Sequence, residues 1–206
     1  MSKKIITVVI TGGPAAGKTT FVERIKTELG GMAGWRLITI PETATELMSG
    51  FGFGPFPGCM SMEQFQYFVI PDQLHKEQIA LDVAQIVPEE KVLIIYDRAV
   101  FDDKAYISDE QFAKTLADLG HTEEEILGHY DAVIHLVTCA KGETASEYNY
   151  NNTIRYEDLD GAVIADDRTL RAWSAHPKRR VIENIPSFEQ KMQNAVDALR
   201  EIVESV

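Results

Sequence analysis

Short apolar runs bounded by charged or turn-forming residues recur along this chain, and between them lie longer stretches whose apolar positions return every three or four residues. Residues 5–10, 35–40, 91–97, 131–138 and 179–184 carry the short runs and read as strands, with Val92-Leu93-Ile94-Ile95 the most continuous. Unbroken apolarity of this kind belongs to strands covered on both faces, the usual condition of a parallel sheet. Helical spacing predicts a helix over 20–29, with Phe21, Ile25 and Leu29 on one side, and another over 42–48. Residues 61–87 form a longer one in which Met62, Phe65 and Val69 share a face and Leu74, Ile79, Val83 and Ile86 continue a buried stripe. Pro71 is expected to kink or split that segment. Ser108, Thr122 and Ser187 each stand three residues before Gln or Glu, the spacing of a capping box, and open three further helices. The last is expected to bury Phe188, Met192, Val196, Leu199 and Val203, and one more helix is expected over 157–173. Strand–helix alternation without repeats or linkers predicts a single α/β domain over 1–206, a five-stranded parallel sheet between two helical layers, with a lid-like segment at about 140–175.

The turn after the first strand adds chemistry to that outline. Gly12-Gly13-Pro14-Ala15-Ala16-Gly17-Lys18-Thr19 fits the pattern G-x-x-x-x-G-K-[ST] at every fixed position, with a strand before it and a helix after it. Glycines let the backbone curl so that successive N–H groups face phosphate oxygens, and the helix start adds the positive end of its dipole. Gly12, Gly13, Pro14, Ala15, Ala16, Gly17, Lys18, Thr19 and Thr20 are therefore expected to hold a nucleoside triphosphate, ATP first and GTP as the alternative. Lys18 neutralises β- and γ-phosphate charge, and the Thr19 hydroxyl is a Mg²⁺ ligand.

In open parallel sheets ligands sit beyond the carboxyl ends of the strands, so strand-end charges are the next candidates. Glu42 follows the second strand and is expected on the acceptor side, where it accepts a hydroxyl proton or holds a sugar hydroxyl. Asp97 ends the third strand and is the expected second Mg²⁺ contact; Arg98 beside it can clamp a phosphate or substrate oxygen, with Asp102 and Asp103 in reserve. Asn184, at the end of the fifth strand, can touch the nucleotide base. Among Arg155, Arg168 and Arg171, at least one is expected to be catalytic by neutralising the transferred phosphoryl group. Residues 50–60, with Phe51, Phe53 and Phe56 among glycines and prolines, read as a loop that either closes over a ring or pins itself to the core. Gln66, Gln73 and Gln78 are polar positions near a pocket, and His135, inside the fourth strand, reads as a core histidine.

Composition narrows the partners. A net charge of −12 argues against general binding to nucleic acid. The chain has no apolar run long enough for a membrane span and no signal-like start, and Cys59 and Cys139 lack metal-ligand spacing; a cytoplasmic setting with reduced thiols is the expectation.

What is missing sorts the triphosphate-binding classes. A Ras-like GTPase carries D-x-x-G after its metal strand and an N-K-x-D guanine reader, and neither occurs. Mechanical ATPases commonly place Glu after the strand-end Asp to activate water, and here that place is Arg98. Transfer to an acceptor other than water is the better expectation. The phosphate loop, Pro41-Glu42-Thr43-Ala44-Thr45, Tyr96-Asp97-Arg98, Tyr130 through Leu136, Arg155-Tyr156-Glu157, Trp173-x-x-His176-Pro177, Ile182-Glu183-Asn184 and Phe188-Glu189-x-Lys191 together resemble one family. It is the AAA-type ATPase domain of the TRPL-translocation-defect proteins, grouped with the ribosylnicotinamide kinase domain of bifunctional NAD-biosynthesis regulators. The resemblance implies a kinase-like P-loop NTPase core. Its eukaryotic members are described as binding GTP and phosphoinositides, whereas its kinase members phosphorylate a nucleoside. Two readings follow: an ATP-dependent kinase or ATPase acting on a small hydroxyl-bearing, nucleoside-like acceptor, or a nucleotide-controlled binding module with slow hydrolysis and a protein partner.

Overall fold

The computed structural model describes residues 3–51, 60–142 and 158–205. Strands β1 (Lys4–Thr11), β2 (Trp35–Ile40), β3 (Lys91–Asp97), β4 (Ala132–Leu136) and β5 (Arg179–Ile182) pair in parallel in the order β2-β3-β1-β4-β5. Helices α1 (Lys18–Leu29), α2 (Thr43–Phe51), α3 (Met62–Ile86), α4 (Val100–Asp103), α5 (Asp109–Asp118), α6 (Glu123–Leu127), α7 (Leu159–Ala172) and α8 (Phe188–Ser205) connect them. The three-layer α/β/α arrangement with five parallel strands is the one the apolar pattern predicts.

β1 is the central strand, and its register sets Ile10 beside both Asp97 of β3 and Ile134 of β4. Alternation along it divides the core. Ile6, Val8 and Ile10 join a cluster with Phe21 and Ile25 of α1 and with Val196 and Leu199 of α8. Val9 belongs to the opposite layer, with Ile70, Ala80, Phe101, Phe112 and Trp173. The loop that leaves β1 therefore emerges mid-sheet, between the ends of β3 and β4, with packed layers on both sides.

Local signals placed most of the helix starts. Ser108 and Thr122 cap α5 and α6 in full capping boxes, Ser61 does the same for α3, and Ser187 Oγ accepts from the Gln190 N–H. The short α4, two residues after Arg98 and with Ala99 at its N-cap, has no Ser or Thr there and went unread.

Three expectations fail. α3 is not split at Pro71 but runs through it as one helix. The N–H that proline lacks would have bonded the Tyr67 carbonyl, and Tyr67 is 61% exposed, so water can take that carbonyl. The expected stripe holds only at Leu74, which packs against the core; Ile79, Val83 and Ile86 are 46%, 41% and 81% exposed. α3 packs instead through the apolar Val69 and Ile70 and, further along, through Gln73, Glu77, Ala80 and Ala84. Phe188, expected in the core, is 44% exposed at the head of α8. Among the described residues no helix is long and apolar enough to cross a membrane.

The corrected α3 face carries a test. Ile86→Ser should change stability by no more than about 0.5 kcal/mol, while Phe65→Ala on the packed face should cost about 3–5 kcal/mol. Denaturant unfolding of the two variants reads the difference, and equal losses would restore the original stripe.

Candidate functional site

β1 ends at Thr11 and α1 begins at Lys18, so the loop between them turns the chain from sheet to helix at the sheet's centre. Gly12 adopts φ 137°, and a Cβ there would lie 2.1 Å from the Leu136 carbonyl oxygen. Gly13 is constrained by proximity, since a Cβ would stand 2.7 Å from Cβ of Asp166. Gly17 caps α1 in the left-handed region, and no acidic side chain in the first turn offsets the helix dipole. Lys18 folds back over the loop, its Nζ donating to the carbonyls of Gly12 at 3.0 Å and Gly13 at 2.9 Å. Burial, reinforced by the nearby Arg98 charge, lowers its ammonium to about 8. Thr19 and Thr20 stand exposed at the start of the helix.

The ends of β2 and β3 supply the facing wall. Asp97 closes β3 with its Oδ1 buried and, among the described residues, without a hydrogen-bond partner, and burial raises its carboxyl above the usual range. Arg98 follows in the left-handed region at φ 66°, its N–H bonded to the Ile10 carbonyl at 2.9 Å. That turn aims the guanidinium back across the strand ends. Its Nε meets Glu42 Oε1 at 2.6 Å and its terminal nitrogen meets Asp102 Oδ1 at 3.0 Å. Burial opposes the charge on Glu42, but Arg98, Lys18 and the Thr45 hydroxyl outweigh it and hold this carboxyl below its ordinary value. Asp102 is buried and accepts from Thr11 Oγ1, the Ala99 N–H and Trp173 Nε1 as well. Asp103, also buried, is pushed well above the carboxylate range by burial and by Asp102.

A second set of polar groups lies beneath the loop. Asp166 of α7 is fully buried, and its Oδ1 accepts the Gly13 N–H at 2.7 Å and the Thr138 N–H at 3.1 Å. Its Oδ2 pairs with Lys141 at 2.6 Å, and His135 Nε2 lies 3.2 Å from Oδ1. These donors overcome burial and hold the Asp166 carboxyl far below its ordinary value. From α8, Lys191 Nζ donates to the carbonyls of Ala16 at 2.9 Å and Val137 at 2.5 Å and to Asn184 Oδ1 at 2.8 Å. Burial lowers it to about 8. The Asn184 amide is engaged with the carbonyls of Thr138 and Lys141, so in this structure the residue ties the β4–α7 connection to α8.

Of the residues expected to work together, Lys18, Glu42, Asp97 and Arg98 interact as one cluster of charges. Arg168 and Arg171 lie elsewhere: exposed on α7, they line a groove of about 590 Å³ with Lys104, Tyr106, Asp109 and Glu123. Arg155, most of the expected aromatic loop (including Phe53 and Phe56), Cys59 and residues 143–157 of the expected lid are outside the described residues. Sequence reasoning gave no role to Asp166, and Lys191 entered only within a family motif. A signal existed for both, because each is a charged residue on the apolar face of an amphipathic helix, where an unpaired charge is not tolerated.

A family model described as an AAA domain matches residues 7–191. Among curated proteins, none matches the chain. Thymidylate kinase from Candida albicans superposes with a TM-score of 0.64 at 17% identity, over 100% of this chain and 93% of that one. NadR protein in complex with NR superposes with a TM-score of 0.63 at 15% identity, over 96% of this chain but 51% of that one, so the chain spans about half the NadR length. At these identities the likeness is one of fold.

The Asp166 brace has a pH signature. A carboxyl held below its unfolded value, near about 3.9, stabilises the fold above that pH and loses its contribution as pH falls through its folded value. Asp166→Asn should therefore cost about 1–3 kcal/mol at pH 7, with the gap to wild type narrowing below about pH 4. Thermal unfolding across that range measures it; curves that stay parallel would mean that the charge on Asp166 is irrelevant.

Proposed function

The chain belongs to the AAA domain family and has the kinase-like P-loop NTPase fold, and on this premise we propose that it transfers the γ-phosphoryl group of ATP to a hydroxyl of a small, nucleoside-like acceptor. The observation that carries the reading is the wall opposite the loop. It holds a buried, unpartnered Asp97 oxygen next to an Arg98–Glu42 ion pair, with Arg98 at the position where mechanical ATPases commonly carry a water-activating Glu.

The orphaned Asp97 Oδ1 fits the outer contact of a Mg²⁺ ion, with the Thr19 hydroxyl as the partner from the loop. Among the described residues no group of three or more His, Cys, Asp or Glu side chains forms a metal cage, which suits an ion that takes most of its ligands from phosphates and water. When bound, Mg²⁺ offsets the charge on the β- and γ-phosphates. The protein's own groups do the rest. Loop N–H groups and Lys18 align the triphosphate, Arg98 draws charge from the phosphoryl group on the acceptor side, and ionised Glu42 orients the acceptor hydroxyl by accepting its hydrogen bond.

Incubation of the protein with labelled ATP, Mg²⁺ and a panel of nucleosides tests this. Transfer to at least one nucleoside is expected, with Lys18→Ala lowering kcat/KM by about 10²–10³-fold. Brisk ATP hydrolysis with no labelled acceptor would overturn it and favour a hydrolytic or switching role.

A further inference from the structure

Gln66 is a buried polar group that the phosphoryl-transfer chemistry leaves without a role. The residue is 3% exposed, and among the described residues its Oε1 has no hydrogen-bond partner and its amide nitrogen reaches only Met62 Sδ, at 3.6 Å. A buried amide oxygen without a donor is rare, because nothing replaces the water it gave up.

Its place on α3 narrows what the missing donor is. α3 ends just before β3 begins, so the amino end of the helix projects past the carboxyl ends of the strands. Gln73 marks the level of the strand ends, since its Oε1 accepts the hydroxyl of Thr43, the neighbour of Glu42, at 2.5 Å. The other end of that amide donates to Glu77, which also receives the Tyr130 hydroxyl, so Gln73 and Glu77 are fully engaged inside the protein. Gln66 stands on the same helix face two turns earlier, about 10 Å further out along the axis. Along the axis this carries it past the strand ends on the side where α3 packs against β2, the strand that leads to Glu42, at a spacing that suits a molecule with a hydroxyl-bearing sugar at one end and a ring at the other.

Building on the phosphoryl-transfer reading, we propose that Gln66 Oε1 accepts a hydrogen bond from an N–H on the edge of a planar nitrogen heterocycle carried by the acceptor. Glu42 and Arg98 then meet the hydroxyl end and Gln66 reads the ring end. The acceptor class is a nucleoside whose base carries a ring or amino N–H, as opposed to a simple sugar or an aliphatic alcohol.

The test uses matched pairs: uridine against its ring-N-methyl derivative, and adenosine and cytidine against their dimethylamino derivatives. Binding to the wild-type chain and to Gln66→Leu and Gln66→Glu is measured by calorimetry, and transfer from ATP is measured in parallel. Wild type should prefer the N–H member of at least one pair by roughly tenfold or more, through KM more than kcat. Gln66→Leu should abolish that preference with the KM for ATP unchanged, and Gln66→Glu, which keeps an acceptor oxygen, should retain part of it. An equal preference in wild type and Gln66→Leu, or no binding of any of these nucleosides, overturns the inference. A Gln66-dependent preference in binding without phosphoryl transfer sustains it and removes the kinase reading instead.

Discussion

The site depends on one buried guanidinium. Arg98 joins Glu42 at the end of β2 to Asp102 on α4, and Asp102 in turn holds Thr11 of β1 and the Trp173 indole at the end of α7. Three strand ends and two helices are thus fixed by a single set of charge-assisted hydrogen bonds. Such a set is not a simple source of stability, because desolvating the ions offsets much of their attraction; removing one member costs about 3–5 kcal/mol because it strands the rest. Its value here is geometric. It holds Glu42 and Asp97 against the phosphate loop in a part of the fold where carboxylates outnumber cations.

The loop is fastened from below by a different logic. Curled backbone leaves N–H and C=O groups that sheet and helix do not satisfy, and the fold answers each kind with its opposite. Asp166 takes the Gly13 N–H, and Lys191 covers the Ala16 carbonyl. Both braces come from helices late in the chain, α7 and α8, so the shape of a loop near residue 12 is completed by side chains more than 150 positions away. Asp166 also draws in Lys141 and lies against His135, which links the loop to the end of β4.

α3 shows how polar groups can serve as packing. Its inner face carries Gln73 and Glu77 among alanines, and burial raises Glu77 to about 7 while Gln73 and Tyr130 donate to it. A helix built this way keeps apolar contacts through Ile70, Ala80 and Ala84 and also carries hydrogen-bonding side chains from the core out to the strand ends. Its exposed Ile79, Val83 and Ile86 show that apolar periodicity alone misassigned the faces.

The linear chain was enough to set the class of fold and the phosphate loop. Apolar runs, cap residues and a fixed glycine–lysine spacing are local properties, and they act through backbone geometry whatever the distant surroundings. It was also enough to place Glu42, Asp97 and Arg98 at strand ends, because those ends can be read from the pattern. It could not give the faces of α3, the groove that Arg168 and Arg171 line, or the partners of Asn184, Asp166 and Lys191. Each of those depends on which buried partner a polar group meets, and only the packed arrangement brings partners together from opposite ends of the chain.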